Sequence, residues 1–482
     1  MIDVTVLVGG SARLHSTSEY SLSATCRELR AHGVSRALIG ARAAAHYRHE
    51  VGNDLALAAA RQNGLYPVAS LNPVQYLDWP RELARMRAAG AVALRFFPDV
   101  QGWTVHSAAF QEVARAARCP MLLPVCSFGD ATAIGGATAE LGVPVVLVGA
   151  HYTQLADCLA ALERWPHLYL DTSRLAHFRA IETVVRSLGP GRLLFGSGAP
   201  RRPIQAALNA VLSADISDTD RRAILADNAS LVFGLPRSDF VLPSSTRASG
   251  LTDVHTHVGA LGFPTPRLEP AEQSAALAGH GIVAAVASSL RAIADDLEVG
   301  NAEAFATSQP AYVVVNPNDL DGSCRMMDDA YRREVAVGAK LHCGWSGVPT
   351  ASRACIDLVR QVARRGRPLA IHVDGDGWDE ALAAAAAEFP GWKVIVTHAG
   401  PGTPSPAAAR LVERTDNVFV ELCTSFPDRA ICADLVRRAG TERVLFGSDA
   451  PLLDPSYVLG IYADAGVDLP RTARLAREVL GV

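Results

Sequence analysis

Seven side chains able to hold a metal or move a proton stand in five short phrases of the second half of the chain. They are His255 and His257 in LTDVHTHVG, Lys340 and His342 in AKLHC, His372 in AIHVDGD, His398 in VIVTHAG, and Asp449 in LFGSDAP. His255 and His257 are two residues apart on an extended run, so they point to one face and can grip a single ion. A lone histidine at a strand end is more often a hydrogen-bonded structural residue than a ligand. Here five of the six histidines in residues 251–482 fall in these phrases, which favours a metal site. The sixth, His280, is matched by His32 earlier in the chain and is assigned a structural role.

The elements that must position these groups recur along the chain. Each phrase closes a short apolar, largely β-branched run, preceded by helical periodicity and followed by Gly, Pro or Asn turn chemistry. LARMRAAGAVALRFF and LVRQVARRGRPLAIHV both read as helix, turn and buried strand. Strands spaced by roughly 25–35 residues have the rhythm of parallel strands joined by crossover helices. About eight such units fit each half, which predicts an α/β chain of two tandem (β/α)8 TIM-type barrels. An open doubly wound sheet is disfavoured because its Gly-rich dinucleotide fingerprint is absent. All seven groups then sit at the C-terminal ends of strands, where barrel enzymes gather their reactive side chains.

The halves echo one another at a shift of about 250 residues. AHGVSRALIG answers GHGIVAAVAS, LNP answers VNP, and LFGSGAP answers LFGSDAP, all in the same order. The Pro- and Ser-rich stretch LPRSDFVLPSSTRASG lacks periodicity, so the expected domains are 1–237 and 251–482 with a linker at 238–250. In this register His255 falls on Thr5, His257 on Leu7, Lys340 on Arg95, His372 on Pro124, His398 on Gly149 and Asp449 on Gly198. The first half is therefore expected to be a degenerate barrel without metal chemistry. The second half ends ARLAREVLGV and lacks the NASLVFG phrase of the first, so the repeat does not support its last helix.

A formal net charge of -4 with 20% charged residues gives no excess of either sign, and argues against nucleic acid or an anionic membrane as partner. No signal peptide or transmembrane run is recognised. Nine scattered cysteines without a CxxC pair fit a reducing, cytoplasmic setting. Neither a GxSxG elbow nor an HExxH helix occurs.

The order HxH, Lys, His, His, Asp resembles the amidohydrolase superfamily. DVHTHVG, GAKLHC, THAG and LFGSDAP resemble its amidohydrolase-related (amidohydrolase 2) branch, over nearly all of residues 251–450. The resemblance implies that His255, His257, His372 and Asp449 hold a catalytic divalent metal, most often zinc. His398 would be a second-metal ligand or a catalytic group. The expectation is one Zn2+, with two metals bridged by a carboxylated Lys340 as the alternative. Such an ion lowers the pKa of bound water from about 15.7 towards 7. Asp449 would then shuttle the proton, with His398 or Lys340 stabilising oxyanion charge. This implies a hydrolase of amides, lactones or related bonds of a small molecule. A decarboxylase of aromatic or unsaturated acids is the alternative, and a non-catalytic tandem scaffold the third reading. His342, Trp345 and Arg267 are candidate substrate contacts. Glu421 aligns with Asp171, which marks it as a structural acid. The first barrel would pair with the second as a pseudo-subunit, with further homo-oligomerisation left open.

Overall fold

The structure, a computed structural model, describes residues 1–12, 18–237, 239–262, 268–307 and 309–481. It divides into two compact units, Met1–Ser245 and Thr246–Val482. Residues 239–248, around that division, carry no helix or strand.

The first unit holds eight parallel strands in sequential order. They are β1 (Ile2–Val8), β2 (Arg36–Ala41), β3 (Leu65–Ser70), β4 (Ala93–Arg95), β5 (Met121–Pro124), β6 (Val145–Val148), β7 (Leu168–Asp171) and β8 (Leu193–Leu194). The sheet closes on itself where the Val4 and Leu7 amides donate to the carbonyls of Phe195 and Ala199, at 3.0 and 2.9 Å.

The second unit repeats the plan with β9 (Leu251–Val258), β10 (Ile282–Ser289), β11 (Tyr312–Val315), β12 (Gly338–His342), β13 (Leu369–His372), β14 (Val394–Val396) and β15 (Val418–Val420). β9 pairs with β10, and β11 to β15 pair in order. Single parallel bridges, Ala287 to Ala311, Val420 to Val444 and Thr256 to Ala450, link these pieces. The expected eighth strand is thus reduced to an irregular segment, whose backbone still bonds both neighbours. Leu445 N–H donates to Val420, Val254 N–H to Phe446, and His257 N–H to Ala450. The segment then turns at Asp449, which has a φ of +62°.

The helix before β13 shows how the pattern produces the unit. Ser352 caps it through Oγ, 3.3 Å from the Cys355 amide. Cys355, Leu358, Val359 and Val362 follow at helical spacing and are all buried, so one stripe packs on the sheet. The chain then turns into Leu369–His372, whose first three residues are buried.

The interior end opposite the site is apolar. Val254, Val286, Ala370, Ile395, Phe419 and Leu445, one from each of several strands, pack with Ala476, Val479 and Leu480. The latter lie on a terminal helix, Leu469–Leu480. That helix was unsupported by the repeat, yet it plugs its barrel as Ala226, Ala229, Val232 and Phe233 plug the first. The packing requires an apolar stripe of the right spacing and not the NASLVFG letters themselves. Among the described residues no helix is long and apolar enough to cross a membrane.

A buried carboxylate pins each closure. Asp253 accepts the amides of His255 and Ser448, both at 3.0 Å. Asp3 accepts those of Thr5 and Ser197 at 2.9 and 3.2 Å. Asp253→Ala would strand two buried amides and is expected to cost about 1–3 kcal/mol for each. A denaturant titration with unchanged slope is the measurement.

Candidate metal centre

β9 supplies the first pair. His255 and His257, separated by one residue of an extended strand, share a face and are almost completely buried. Their rings lie 5.0 Å apart. Each is held through Nδ1: His255 against Glu421 Oε1 at 3.0 Å, His257 against Ser288 Oγ and the Ser288 carbonyl at 3.0 and 3.3 Å. With Nδ1 as the donor, both Nε2 atoms turn their lone pairs towards Asp449. Asp449 Oδ1 is 3.0 Å from His257 Nε2 and 3.6 Å from His255 Nε2.

Lys340 and His342 leave β12 on one face. Lys340 is buried, and its Nζ lies 2.9 Å from His255 Nε2. Burial pushes the amine down to about 8, opposed by the carboxylates of Asp449 and Glu421. His342 is in register with His372 on the adjacent parallel strand, so the two rings stack, 3.9 Å apart and 14° from parallel. The His342 Nδ1 accepts the Trp345 amide at 3.2 Å. The His372 ring also meets that of His398 at 4.8 Å, and its buried Nδ1 has no hydrogen-bond partner.

His398 follows β14 with a φ of +58°. Its Nδ1 donates to the Cys423 carbonyl at 2.8 Å, which leaves Nε2 as an acceptor. Its backbone amide donates to Glu421 Oε1 at 2.6 Å, and that of Cys423 donates to Oε2 at 2.6 Å. Glu421 therefore fixes two strand-end backbones and the His255 ring at once. The sequence reading had seen only its structural side. The signal for the rest was an acid placed directly after the apolar run VFV.

Among the described residues two groups have donor atoms close enough to share an ion: His255, His257 and Asp449, and His255, His398, Glu421 and Cys423. The first is the better site. Its Nε2 and carboxylate lone pairs converge at 3.0–3.6 Å, near the about 3.4 Å that separates tetrahedral ligands around zinc. The second would compete with hydrogen bonds that Glu421 and the Cys423 carbonyl already make. Its thiol is also pushed well above the usual range, first by burial and then by Glu421 and Asp449. His372 belongs to neither group, and stands beside the site with an orphaned nitrogen.

The other expected contacts are dispersed. Trp345 is 49% exposed. It lines a cavity of about 830 Å3 with Leu261, Leu290 and Arg291, a lining that includes none of the clustered groups. Arg267 lies outside the described residues.

Asp449, His398 and Ala399 all hold positive φ, a region that costs a side-chain-bearing residue about 1–2 kcal/mol. The first unit has the same turns, with Gly149 and Gly198 both at φ +71° in place of His398 and Asp449. The second unit thus carries at these turns strain that the glycines of the first avoid. Gly447 carries a different demand: an added Cβ would come within 2.9 Å of His255 Cβ and 3.1 Å of Glu421 Cγ. Gly196 is as tightly placed against Asp171 and Thr5.

Two outcomes follow from this geometry. In metal-free protein, Asp449→Gly should unfold at higher denaturant than Asp449→Ala, by about 1 kcal/mol. Equal midpoints would refute strain at that turn. Glu421→Gln should keep the fold but weaken metal binding about 10- to 100-fold, read by competition with a chelator.

The Amidohydrolase family profile matches the chain twice, over residues 20–235 and 252–479. No curated protein sequence matches it. Among solved structures, a 2,6-dihydroxybenzoate decarboxylase in complex with 2,6-dihydroxybenzoate is 14% identical, with a TM-score of 0.38 over 49% of this chain and 100% of its own. A probable 2-pyrone-4,6-dicarboxylic acid hydrolase from Acinetobacter baumannii is 13% identical, with a TM-score of 0.39 over 48% and 100%. An amidohydrolase 2 from Bifidobacterium longum subsp. infantis is 17% identical, with a TM-score of 0.38 over 48% and 98%. With both halves matched by the family profile, the chain belongs to the Amidohydrolase family.

Proposed function

We propose that residues 251–482 form a metal-dependent hydrolase acting on an amide, lactone or related bond of a small molecule, and that the first unit is a non-catalytic pseudo-subunit. The observation that carries this reading is the convergence of His255 Nε2, His257 Nε2 and Asp449 Oδ1 at one buried point. Two imidazoles and a carboxylate suit a single zinc ion, with His372 and His398 beside it. Such an ion supplies Lewis acidity to a substrate carbonyl and acidifies water.

The chain's own groups complete the chemistry. Burial would raise the Asp449 pKa, but its contact with His257 and the nearby His398 and Lys340 hold it below the usual carboxylate value. It is thus ionised at neutral pH, able to take a proton from water and return it to the leaving group. Lys340 in β12 and His398 after β14, with β13 between them, would stabilise oxyanion charge. Glu421 and Ser288 hold the two β9 imidazoles in the tautomer that presents Nε2. In the first unit Thr5, Leu7, Pro124, Gly149 and Gly198 stand in place of the imidazoles and the carboxylate, which supports its assignment as non-catalytic.

The test is a panel of lactones, amides and aromatic acids offered to the metal-loaded full chain, with carbon dioxide release followed separately. Hydrolysis is expected, falling about 10²- to 10⁴-fold in Asp449→Asn. Carbon dioxide release without hydrolysis would replace this reading by decarboxylation. A purified chain that binds no metal would defeat the enzyme reading, and two metals per chain would favour the bridged Lys340 form.

A further inference from the structure

One oxygen atom distinguishes the closure of the second barrel from that of the first. In the first unit the seventh and eighth strands pair directly: the Thr172 amide donates to the Leu194 carbonyl at 3.0 Å, and Asp171 is in register with Leu194. In the repeat register Thr172 corresponds to Leu422 and Leu194 to Leu445. The Leu422 amide instead donates to the Tyr462 hydroxyl at 2.8 Å, and that hydroxyl donates to the Leu445 carbonyl at 2.7 Å. A phenol thus stands inside the ladder, between a donor and an acceptor that meet directly in the other half. The step before it is kept, since Leu445 N–H donates to the Val420 carbonyl at 2.9 Å. Strand pairing therefore ends at Val420 and Val444, one pair earlier than in the first unit.

The same oxygen makes a third bond. Gly447 N–H donates to it at 3.2 Å, whereas the counterpart Gly196 N–H donates to the Thr172 hydroxyl at 3.1 Å. The first unit thus supplies this acceptor from the strand segment itself, and the second from outside, because Leu422 has no hydroxyl. Tyr462 lies on the helix Pro455–Asp464 and is fully buried, its ring 5.0 Å from that of Phe446. At the matching position the first unit has Val211, on the helix Ile204–Ser213.

A barrel of this plan closes without the tyrosine, so its presence in the half that keeps the ligand set needs another reason. Its bonds supply one. Leu422 follows Glu421, whose carboxylate holds His255 Nδ1 and the His398 amide. Gly447 lies two residues before Asp449, and passes so close to His255 and Glu421 that a Cβ there would lie 2.9 and 3.1 Å from them. One hydroxyl thus joins, at a single point, the backbones that carry Glu421 and Asp449. It donates once and accepts twice, which is its full capacity, so its orientation is fixed. All three partners are buried backbone groups that would be stranded without it.

We infer that Tyr462 is a positioning residue of the metal centre: its hydroxyl wedges the closing segment against the end of β15 so that Asp449 meets His255 and His257 at one point. This rests on the reading of that group as the metal site, and adds the device that spaces it.

The test is zinc affinity of the full chain by competition with a chelator, read beside denaturant titration of the metal-free protein. Tyr462→Phe is expected to weaken zinc binding about tenfold or more. Tyr462→Val should lower both zinc affinity and metal-free stability. Adding Leu422→Thr to Tyr462→Val gives the second unit the arrangement of the first, a direct ladder bond with a hydroxyl for Gly447. This double variant should regain most of the stability while its zinc binding stays weakened about tenfold or more, a split that a merely structural tyrosine would not give. Where Tyr462→Phe fails to fold, the double variant is read in its place. Wild-type zinc affinity in Tyr462→Phe or in the double variant would overturn the inference alone. An unmutated chain that binds no zinc would remove the metal-centre reading and the inference with it.

Discussion

A buried carboxylate at the end of β7 and another directly after β15 organise everything around them. Glu421 receives the amides of His398 and Cys423, and Asp171 those of Gly149 and Ser173. In each unit one side chain ties the backbone after the sixth strand to the backbone after the seventh. Because both oxygens face N–H donors inside a dry interior, losing the acid would strand several polar groups together. That makes the acid a tie between the two strand ends. In the second unit the same oxygen also reaches His255 Nδ1, so one constraint sets both the barrel rim and the tautomer of a candidate ligand.

The two units respond differently to a shared backbone. Both need left-handed turns after the sixth and eighth strands, and both need a glycine at the position where the eighth segment passes the first strand. The first unit meets the turns with Gly149 and Gly198. The second meets them with His398 and Asp449, whose side chains cost strain and are explained only by what they hold. A cavity of the first unit is lined by Arg42, Arg95, Arg174, Arg201 and Arg202.

Much of the architecture was legible in the sequence because it is written in local pattern. Apolar runs between amphipathic helices announced parallel strands, and the repeat placed the strand ends within a few residues. The closing segment around Val444 was read as a strand, and the fold gives it only single bridges to Val420 and Thr256. The terminal helix was missed by comparison of letters and recovered by packing, since Ala476, Val479 and Leu480 need only apolar spacing to fill the barrel end. At the site, residue types and same-face spacing singled out His255, His257 and Asp449, whose donor atoms the fold brings within 4.8 Å of one another. The role of Glu421 was only half seen, and the stacking of His372 on His342 was not visible in the letters.

What the sequence alone determined was which chemistry is available to each half, because side-chain type and two-residue spacing need no partner to be read. What only the tertiary structure decided was which of those groups meet. His342 faces His372 because of strand register, Glu421 reaches His255 across 166 positions of chain, and five arginines scattered between residues 42 and 202 line one cavity. Closing a sheet into a barrel brings strand ends together irrespective of their separation in the chain, and no local pattern records that convergence.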